Sequence, residues 1–269
     1  GDSTEARVAS VNAAIAEGYT IIVMPGYAFG GTIVEVADNN PEIKFVALDV
    51  ARGDLLEAKY GKEYDYNPDN PKWTYQLPSN VTCFVYQEEI SGFMAGYAAV
   101  KEGYKKLGFL GGMAVPAVIR FGFGFVQGVN AAAVEMNIAN EVSVNYVYGG
   151  KFNGTPEITA VMDTWYQGGT EVVFACGGGI YTSAVEAAEQ YDGKVIGVDV
   201  DQRPKIGDLC ITSAMKGLGS AVNSALDAYF GGNWASIGGK SEQLGLAQGD
   251  YLGLPTDTDS WGFTTFTVD

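Results

Sequence analysis

Short apolar runs rich in Val, Ile and Phe alternate along the chain with segments whose apolar residues recur at helical spacing. The runs predict strands at residues 19–24, 44–50, 81–86, 107–111, 142–148, 171–177, 194–200 and 209–213. The intervening segments predict helices at residues 6–17, 31–39, 88–103, 116–136, 156–168, 180–191 and 217–230. Nearly continuous apolar strands separated by amphipathic helices favour parallel sheets covered by helices on both faces. The predicted fold class is therefore α/β.

Polar and glycine-rich segments follow several of the predicted strands, where an α/β fold binds its ligands. The stretch VIGVDVDQ carries Asp199 and Asp201 at the end of an apolar run. If the strand continues through both residues, its period of two points the two carboxylates to the same face. Such a pair is typical of a metal site, of two catalytic acids, or of acceptors for ligand hydroxyls. The residues alone leave these three interpretations open.

Glycines mark two further positions of interest. The run 177–179 follows another predicted strand and would let the backbone approach a ligand, or would simply form a tight turn into the next helix. It is neither a P-loop nor a complete dinucleotide-binding motif, so it gives little support for phosphate binding. Gly92 and Gly96 lie four apart in the predicted helix 88–103 and are expected to let that helix pack closely on a sheet.

Composition removes several classes of function. The 269 residues carry a net charge of −16, with a pI of about 4.3, which argues against a nucleic-acid surface or a polybasic membrane patch. The chain has no histidine, so it lacks the commonest general base and transition-metal ligand. The three cysteines lie in apolar runs and are predicted to be buried free thiols. No apolar stretch is expected to span a membrane, the first residues do not resemble a signal peptide, and the chain as given is predicted to be soluble.

The motifs taken together resemble a known family. Their order along the chain is GYTIIVMPGYAFGG, NPEIKFVALD, EEISGFMAG, KLGFLGGM, IRFGFGFVQGV, GGKFN, VVFACGGG, VIGVDVDQ, LCITSAMKG and QLGLAQGDYLGL. This succession is similar to the basic membrane protein family, the substrate-binding lipoproteins of ABC transporters, of which the best understood members bind purine nucleosides. The resemblance implies a type I periplasmic-binding-protein fold with two α/β lobes, three crossovers and a ligand held between the lobes. The lobes are expected at 1–112 plus 217–240 and at 113–216 plus 241–269.

The resemblance also implies a set of ligand-binding residues: Glu88, Phe152, Gly177, Gly178, Asp199 and Lys216. Asp199 would accept hydrogen bonds from the ribose hydroxyls, and Lys216 would complete that polar corner. Gly177 or Gly178 would offer backbone groups to the sugar. Asp201 is expected to face a crossover and brace it.

The base of the nucleoside would meet two residues of this set. Phe152 would stack on the base, and Glu88 would face it from the first lobe. Where the family often has EQEGSFLAG, this chain has EEISGFMAG, so Ile90 replaces the third acid. No catalytic residue, metal or cofactor is expected.

The resemblance implies a place outside the cytoplasmic membrane and an ABC transporter permease as partner. The protein would be held at the membrane only by a lipid anchor that is not in this chain. Family members begin with a strand, a loop, a helix and a second strand before the point that GDSTEARVAS resembles. These elements, and a C-terminal helix, are therefore expected to be absent, which leaves the first lobe incomplete at its N-terminus.

Two other functions compete with solute binding. A nucleoside or sugar hydrolase would use Asp199 with Asp201, or Glu88 with Asp199, as an acid and base, although no apolar surroundings are apparent that would raise one pKa. A ligand-sensing domain of a regulator would need a DNA-binding segment ahead of residue 1. A metal site at the DVD sequence lacks a third hard ligand nearby in the chain.

Overall fold

A computed structural model of the chain describes residues 3–256, which form two compact units. The first unit contains the residues up to Tyr86 together with Leu218–Ala247. The second unit contains Gln87–Gly217 and the described residues from Gln248 onward, 248–256. The chain therefore passes from one unit to the other three times.

Helices and strands alternate along most of the chain. The helices are α1 Thr4–Ala16, α2 Phe29–Val36, α3 Arg52–Tyr60, α4 Glu88–Lys101, α5 Pro116–Glu135, α6 Pro156–Gln167, α7 Tyr181–Tyr191, α8 Arg203–Ile206 and α9 Leu218–Phe230. The strands are β1 Ile21–Pro25, β2 Lys44–Leu48, β3 Val81–Tyr86, β4 Lys106–Gly111, β5 Ser143–Tyr148, β6 Val172–Cys176, β7 Lys194–Asp199, β8 Cys210–Lys216, β9 Lys240–Leu244 and β10 Leu252–Gly253. Every helix and strand predicted from the sequence occurs, with ends shifted by at most three residues. The α/β class is confirmed.

The elements that the sequence did not predict lack a strong apolar pattern. Helix α3 is a short, charged segment, and β9 has the polar sequence KSEQL. Strand β9 nevertheless pairs in parallel with β3 and completes a sheet of order β1-β2-β3-β9 in the first unit. Tertiary pairing therefore decides the conformation of a segment whose side chains alone would not indicate a strand.

The second unit is built on a sheet of order β10-β8-β7-β6-β4-β5. All of its pairings are parallel except that of β10 with β8. Successive residues of β6 alternate between two cores: Phe174 packs on the side of α5, and Val173 packs on the side of α6 and α7. Both faces are thus covered by helices, which explains the continuous apolar strands.

The predicted boundary between the lobes is wrong. Residues 87–112 were expected in the first lobe, but they carry α4 and β4, and β4 lies between β5 and β6 in the second unit. Residues 241–247 were expected in the second lobe, but β9 joins the first sheet. The glycines at 111–112 end a strand inside the second sheet and do not mark a crossover. The predicted second-lobe residues 257–269 lie outside the described residues.

Helices α4 and α5 pack against each other through glycine. A methyl group built on Gly92 would lie 2.3 Å from the backbone oxygen of Phe121, and one on Gly96 would lie 2.2 Å from that of Phe125. Side chains at these positions would therefore separate the helices. The two glycines serve helix-to-helix contact, and the expectation that they face the sheet is wrong.

Among the residues that the structure describes, one helix has the length and apolar composition of a membrane span, contrary to the expectation from the sequence. It is α5, and half of its apolar window is buried inside the fold. Its residues Phe121, Phe125 and Val129 belong to the core that covers the six-stranded sheet. Helix α5 is therefore apolar because it packs against the six-stranded sheet.

Candidate functional site

The carboxyl ends of β6, β7 and β8 bring three of the predicted site residues, Gly177, Asp199 and Lys216, to one edge of the six-stranded sheet. These strands are neighbours in the order β8-β7-β6, and they end at Lys216, Asp199 and Cys176. Asp199 is paired in register with Met215, the residue before Lys216. All three belong to the second unit. This edge is where α/β folds place their ligands.

Asp199 ends β7 in a left-handed backbone conformation, with φ of 68°. Aspartate tolerates this conformation better than most residues do. Its side chain is 32% exposed, and its Oδ1 lies 3.3 Å from Nζ of Lys216. The carboxylate therefore has a buried cation on one side and keeps an exposed part that can accept hydrogen bonds.

Asp201 lies beyond the end of β7 and makes contacts different from those of Asp199. Strand β7 stops at Asp199, so strand periodicity does not extend to Asp201, and the expectation of a shared face is wrong. The Oδ1 of Asp201 accepts a hydrogen bond of 2.8 Å from the backbone N–H of Arg203 at the start of α8. Asp201 was expected to brace a crossover, but this hydrogen bond holds the start of α8 instead.

Gln202 supports the end of β7, although the sequence did not single it out. Its Oε1 accepts a hydrogen bond of 3.0 Å from the N–H of Val198, and its own N–H donates to Oγ of Ser213 at 3.1 Å. The side chain is buried. Gln202 therefore links the turn after Asp199 to both β7 and β8.

Glu88 lies in the second unit and begins α4, so its expected position in the first lobe is wrong. Its side chain is completely buried. Oε2 receives a charge-assisted hydrogen bond of 2.5 Å from Nε of Arg120, and Oε1 lies 3.6 Å from Nζ of Lys216. Two cations thus hold the Glu88 carboxylate. One of them, Lys216, also lies beside Asp199 and so connects the two acids.

Arg120 is the second residue that sequence reasoning missed. It is a single cation within the apolar segment PAVIRFGFGFVQG of α5. An isolated charge in an otherwise apolar helix needs a partner when the helix is buried. That signal could have indicated an acidic partner, although nothing in the sequence indicated Glu88.

Phe152 rests on glycines that follow two neighbouring strands. A methyl group built on Gly112 would lie 2.5 Å from Cδ1 of Phe152, and one on Gly177 would lie 2.7 Å from the same atom. The backbone N–H of Gly179 donates to the carbonyl of Phe152 at 2.7 Å. A methyl group on Gly178 would lie 2.8 Å from that carbonyl oxygen. The glycines therefore have a packing role around the half-buried Phe152.

Cys176 lies at the end of β6, just before these glycines. Burial is the main cause that raises the pKa of its thiol well above the usual value. Asp199 and Glu88 raise this pKa further, and Lys216 opposes them. The thiol is therefore protonated at neutral pH and is a poor nucleophile. The other two cysteines are also free and buried, as predicted.

Metal coordination finds little support in the part of the chain that the structure describes. No group of three or more His, Cys, Asp or Glu side chains that could hold a metal ion occurs among residues 3–256.

Comparison with known proteins gives a consistent result. The profile of the Bmp family, described as ABC transporter substrate-binding protein PnrA-like, matches residues 2–264. Basic membrane protein B of Borreliella burgdorferi is 29% identical over 241 residues, which are 88% of this chain and 63% of that protein. The ABC transporter nucleoside-binding protein BmpA of Lactococcus lactis subsp. cremoris is 25% identical over 234 residues, which are 80% of this chain and 58% of that protein. The chain thus spans about three fifths of these curated relatives.

A solved structure shows the fold. The ABC transporter solute-binding protein of Aeropyrum pernix K1 aligns with 95% of this chain and 65% of its own, with a TM-score of 0.75 and 21% identity. At this identity the likeness shows the fold alone. It is the type I periplasmic-binding-protein fold that the sequence predicted.

Proposed function

The chain belongs to the Bmp family of PnrA-like ABC transporter substrate-binding proteins, and from this premise we propose that it binds a purine nucleoside for delivery to an ABC importer. We also propose that the protein is extracytoplasmic and held at the membrane by a lipid anchor, and that the transporter permease is its partner. Family membership supports a small-molecule ligand. The nucleoside-binding protein of Lactococcus lactis is the relative whose name supports a nucleoside.

The observation that carries the proposal is the partly exposed carboxylate of Asp199 beside the ammonium of Lys216. An ionised carboxylate accepts two hydroxyl hydrogen bonds readily, and hydrogen bonds to charged groups contribute about 1.5–3 kcal/mol. A ribose presents such a pair of neighbouring hydroxyls at its 2′ and 3′ positions. Because the cation is buried and already has carboxylate partners, the corner suits a neutral diol better than an anion.

Phe152 and the glycines would complete the site on the neighbouring strand ends. The ring lies beside Gly177, and the carbonyl of Phe152 lies beside Gly178; both glycines follow β6, the strand adjacent to β7. In the proposed site the ring stacks on the base, an interaction that contributes about 1–3 kcal/mol per base. The backbone of these glycines faces the sugar.

Calorimetric titration of the purified protein tests the proposal. We expect guanosine, inosine or adenosine to bind at least tenfold more tightly than cytidine or uridine, and free ribose to bind weakly. Chromatography of each mixture after incubation should recover the nucleoside intact. Release of free base would favour the hydrolase, and absence of binding by all five nucleosides would contradict the proposed function.

A further inference from the structure

Four charged side chains of the second unit form one network, in which Glu88 and Lys216 are buried and Arg120 and Asp199 are partly exposed. Arg120 lies against Glu88, and the ammonium of Lys216 lies 3.6 Å from Glu88 and 3.3 Å from Asp199. The network contains two carboxylates and two cations, so its charges balance. Glu89 lies at its margin, 4.0 Å from Arg120.

The position of Lys216 is constrained from several sides. Its side chain is 3% exposed, and its ammonium lies 5.7 Å from the centre of the Phe121 ring. A buried ammonium needs acceptors for its three N–H groups, because water is not available to it. Glu88 and Asp199 offer carboxylate oxygens on different elements, the start of α4 and the end of β7. Lys216 is thus shared between a fully buried acid and a partly exposed one.

We propose that Glu88 is a positioning residue that acts on the ligand through Lys216, with Arg120 as its counterion. Glu88 attracts Lys216 away from Asp199, so that the Asp199 carboxylate keeps acceptor capacity for the ligand diol. Arg120 satisfies the other oxygen of Glu88 and balances its charge. This inference rests on the proposed function for the identity of the ligand, but the arrangement of Lys216 can be measured without any ligand. It replaces the expected contact between Glu88 and the base.

A thermodynamic cycle on binding tests this role. Glu88→Gln, Lys216→Met and the double variant are titrated with guanosine and with 2′,3′-dideoxyguanosine. Glu88→Gln should weaken guanosine about tenfold, because Lys216 then turns fully to Asp199, and should change dideoxyguanosine less than twofold. In the Lys216→Met background the same substitution should have less than a twofold effect on guanosine. Equal losses for both ligands in both backgrounds would show a direct contact with the base and overturn the proposal.

A second variant keeps the test valid if Glu88→Gln alone does not fold, since it leaves two cations without their buried acid. The pair Glu88→Gln/Arg120→Gln removes one charge of each sign. It should show the same selective loss for guanosine over dideoxyguanosine. If this variant binds both ligands as tightly as the wild type does, the proposal is contradicted.

Lysine-selective NMR of the ligand-free protein gives an independent readout. The ammonium of Lys216 should give a signal that exchanges slowly with water and disappears in Lys216→Met. In the Glu88→Gln/Arg120→Gln variant this exchange should be at least tenfold faster. Unchanged exchange overturns the positioning role. If the wild type binds no nucleoside while the exchange behaves as expected, the proposed function fails and the positioning of Lys216 by Glu88 stands.

Discussion

The ring of Phe152 lies so close to Gly177 that a methyl group at Gly177 would come within 2.7 Å of Cδ1. Gly177 also has a φ of 129°, a conformation that side chains rarely allow. Two separate properties, backbone conformation and space, therefore require glycine directly after β6. Phe152 depends on both of them for its position.

Gly177→Ala should lower the free energy of unfolding by about 2–4 kcal/mol, since backbone strain adds to the clash with Phe152. It should also weaken nucleoside binding by displacing the ring. Urea unfolding and calorimetry measure the two effects.

Gly150→Ala is the matched control. Gly150 has a φ of 76°, and a methyl group there would have nothing within 4 Å. Only backbone strain remains, so the cost should be about 1–2 kcal/mol, with nucleoside affinity unchanged. If the two variants lose the same stability and keep the same affinity, the contact between Gly177 and Phe152 has no energetic importance.

Phe152→Ala tests stacking on the base. We expect nucleoside affinity to fall by a factor of about 5–150, corresponding to about 1–3 kcal/mol of stacking, while the weak affinity for ribose stays the same. Phe123→Ala on α5 is the control, because Phe123 is 62% exposed and belongs to neither core. Equal losses for nucleoside and ribose would show that Phe152 only supports the fold.

Asp199→Asn tests recognition of the diol. The substitution keeps the shape but removes the charge and replaces one acceptor with a donor. Guanosine affinity should fall by about 1.5–3 kcal/mol, which is roughly ten- to a hundredfold. Dideoxyguanosine offers no hydroxyls at the 2′ and 3′ positions, so its affinity should change little.

Asp201→Asn is the control for that experiment. Its side-chain oxygen can still accept the hydrogen bond from Arg203, so both ligands should bind as they do to the wild type. If Asp199→Asn weakens guanosine and dideoxyguanosine equally in calorimetric titration, the diol does not meet Asp199.

The sequence could predict the sheet that carries this site because its strands are apolar on both faces. The runs predicted at 194–200 and 209–213 both read as buried strands, and the parallel pairing of β7 with β8 brings their ends, Asp199 and Lys216, together. The sequence could not show that β7 stops at Asp199. That end depends on a left-handed residue and on the hydrogen bond that the N–H of Val198 donates to Oε1 of Gln202, neither of which changes the apolar pattern.

The local sequence pattern could not predict contacts between residues that lie far apart in the chain. Glu88 looked like an ordinary acidic residue in the first turn of a helix, where the helix dipole favours it anyway. Its ion pair with Arg120 joins residues 32 positions apart in the chain. The same limit explains the misplaced lobe boundary, since only tertiary pairing reveals that β4 belongs with β6 and that the polar β9 belongs with β3.

Cys83 in β3 should make the stability of the protein depend on alkaline pH. Burial raises the pKa of its thiol to about 12 in the folded state, whereas an exposed thiol has a pKa of about 8.5. The protein therefore keeps its full free energy of unfolding with respect to this thiol below about pH 8.5. It loses part of that free energy as pH rises toward 12, because only the unfolded state releases the thiol proton in this range. At pH 9.5 the loss from this thiol should be about 1.4 kcal/mol.

Urea unfolding from pH 7.5 to 10 checks this in the wild type, Cys83→Ala and Cys83→Ser. The two variants should differ from each other in stability at pH 7.5, since one leaves a small cavity and the other buries a hydroxyl. Both lack the thiol, so both should lose less stability than the wild type over the alkaline range, by about 1.4 kcal/mol at pH 9.5. Other groups, including Tyr75 with its pKa raised to about 12, titrate in all three proteins. Parallel curves for the three proteins would mean that the Cys83 thiol does not stay protonated in the folded state.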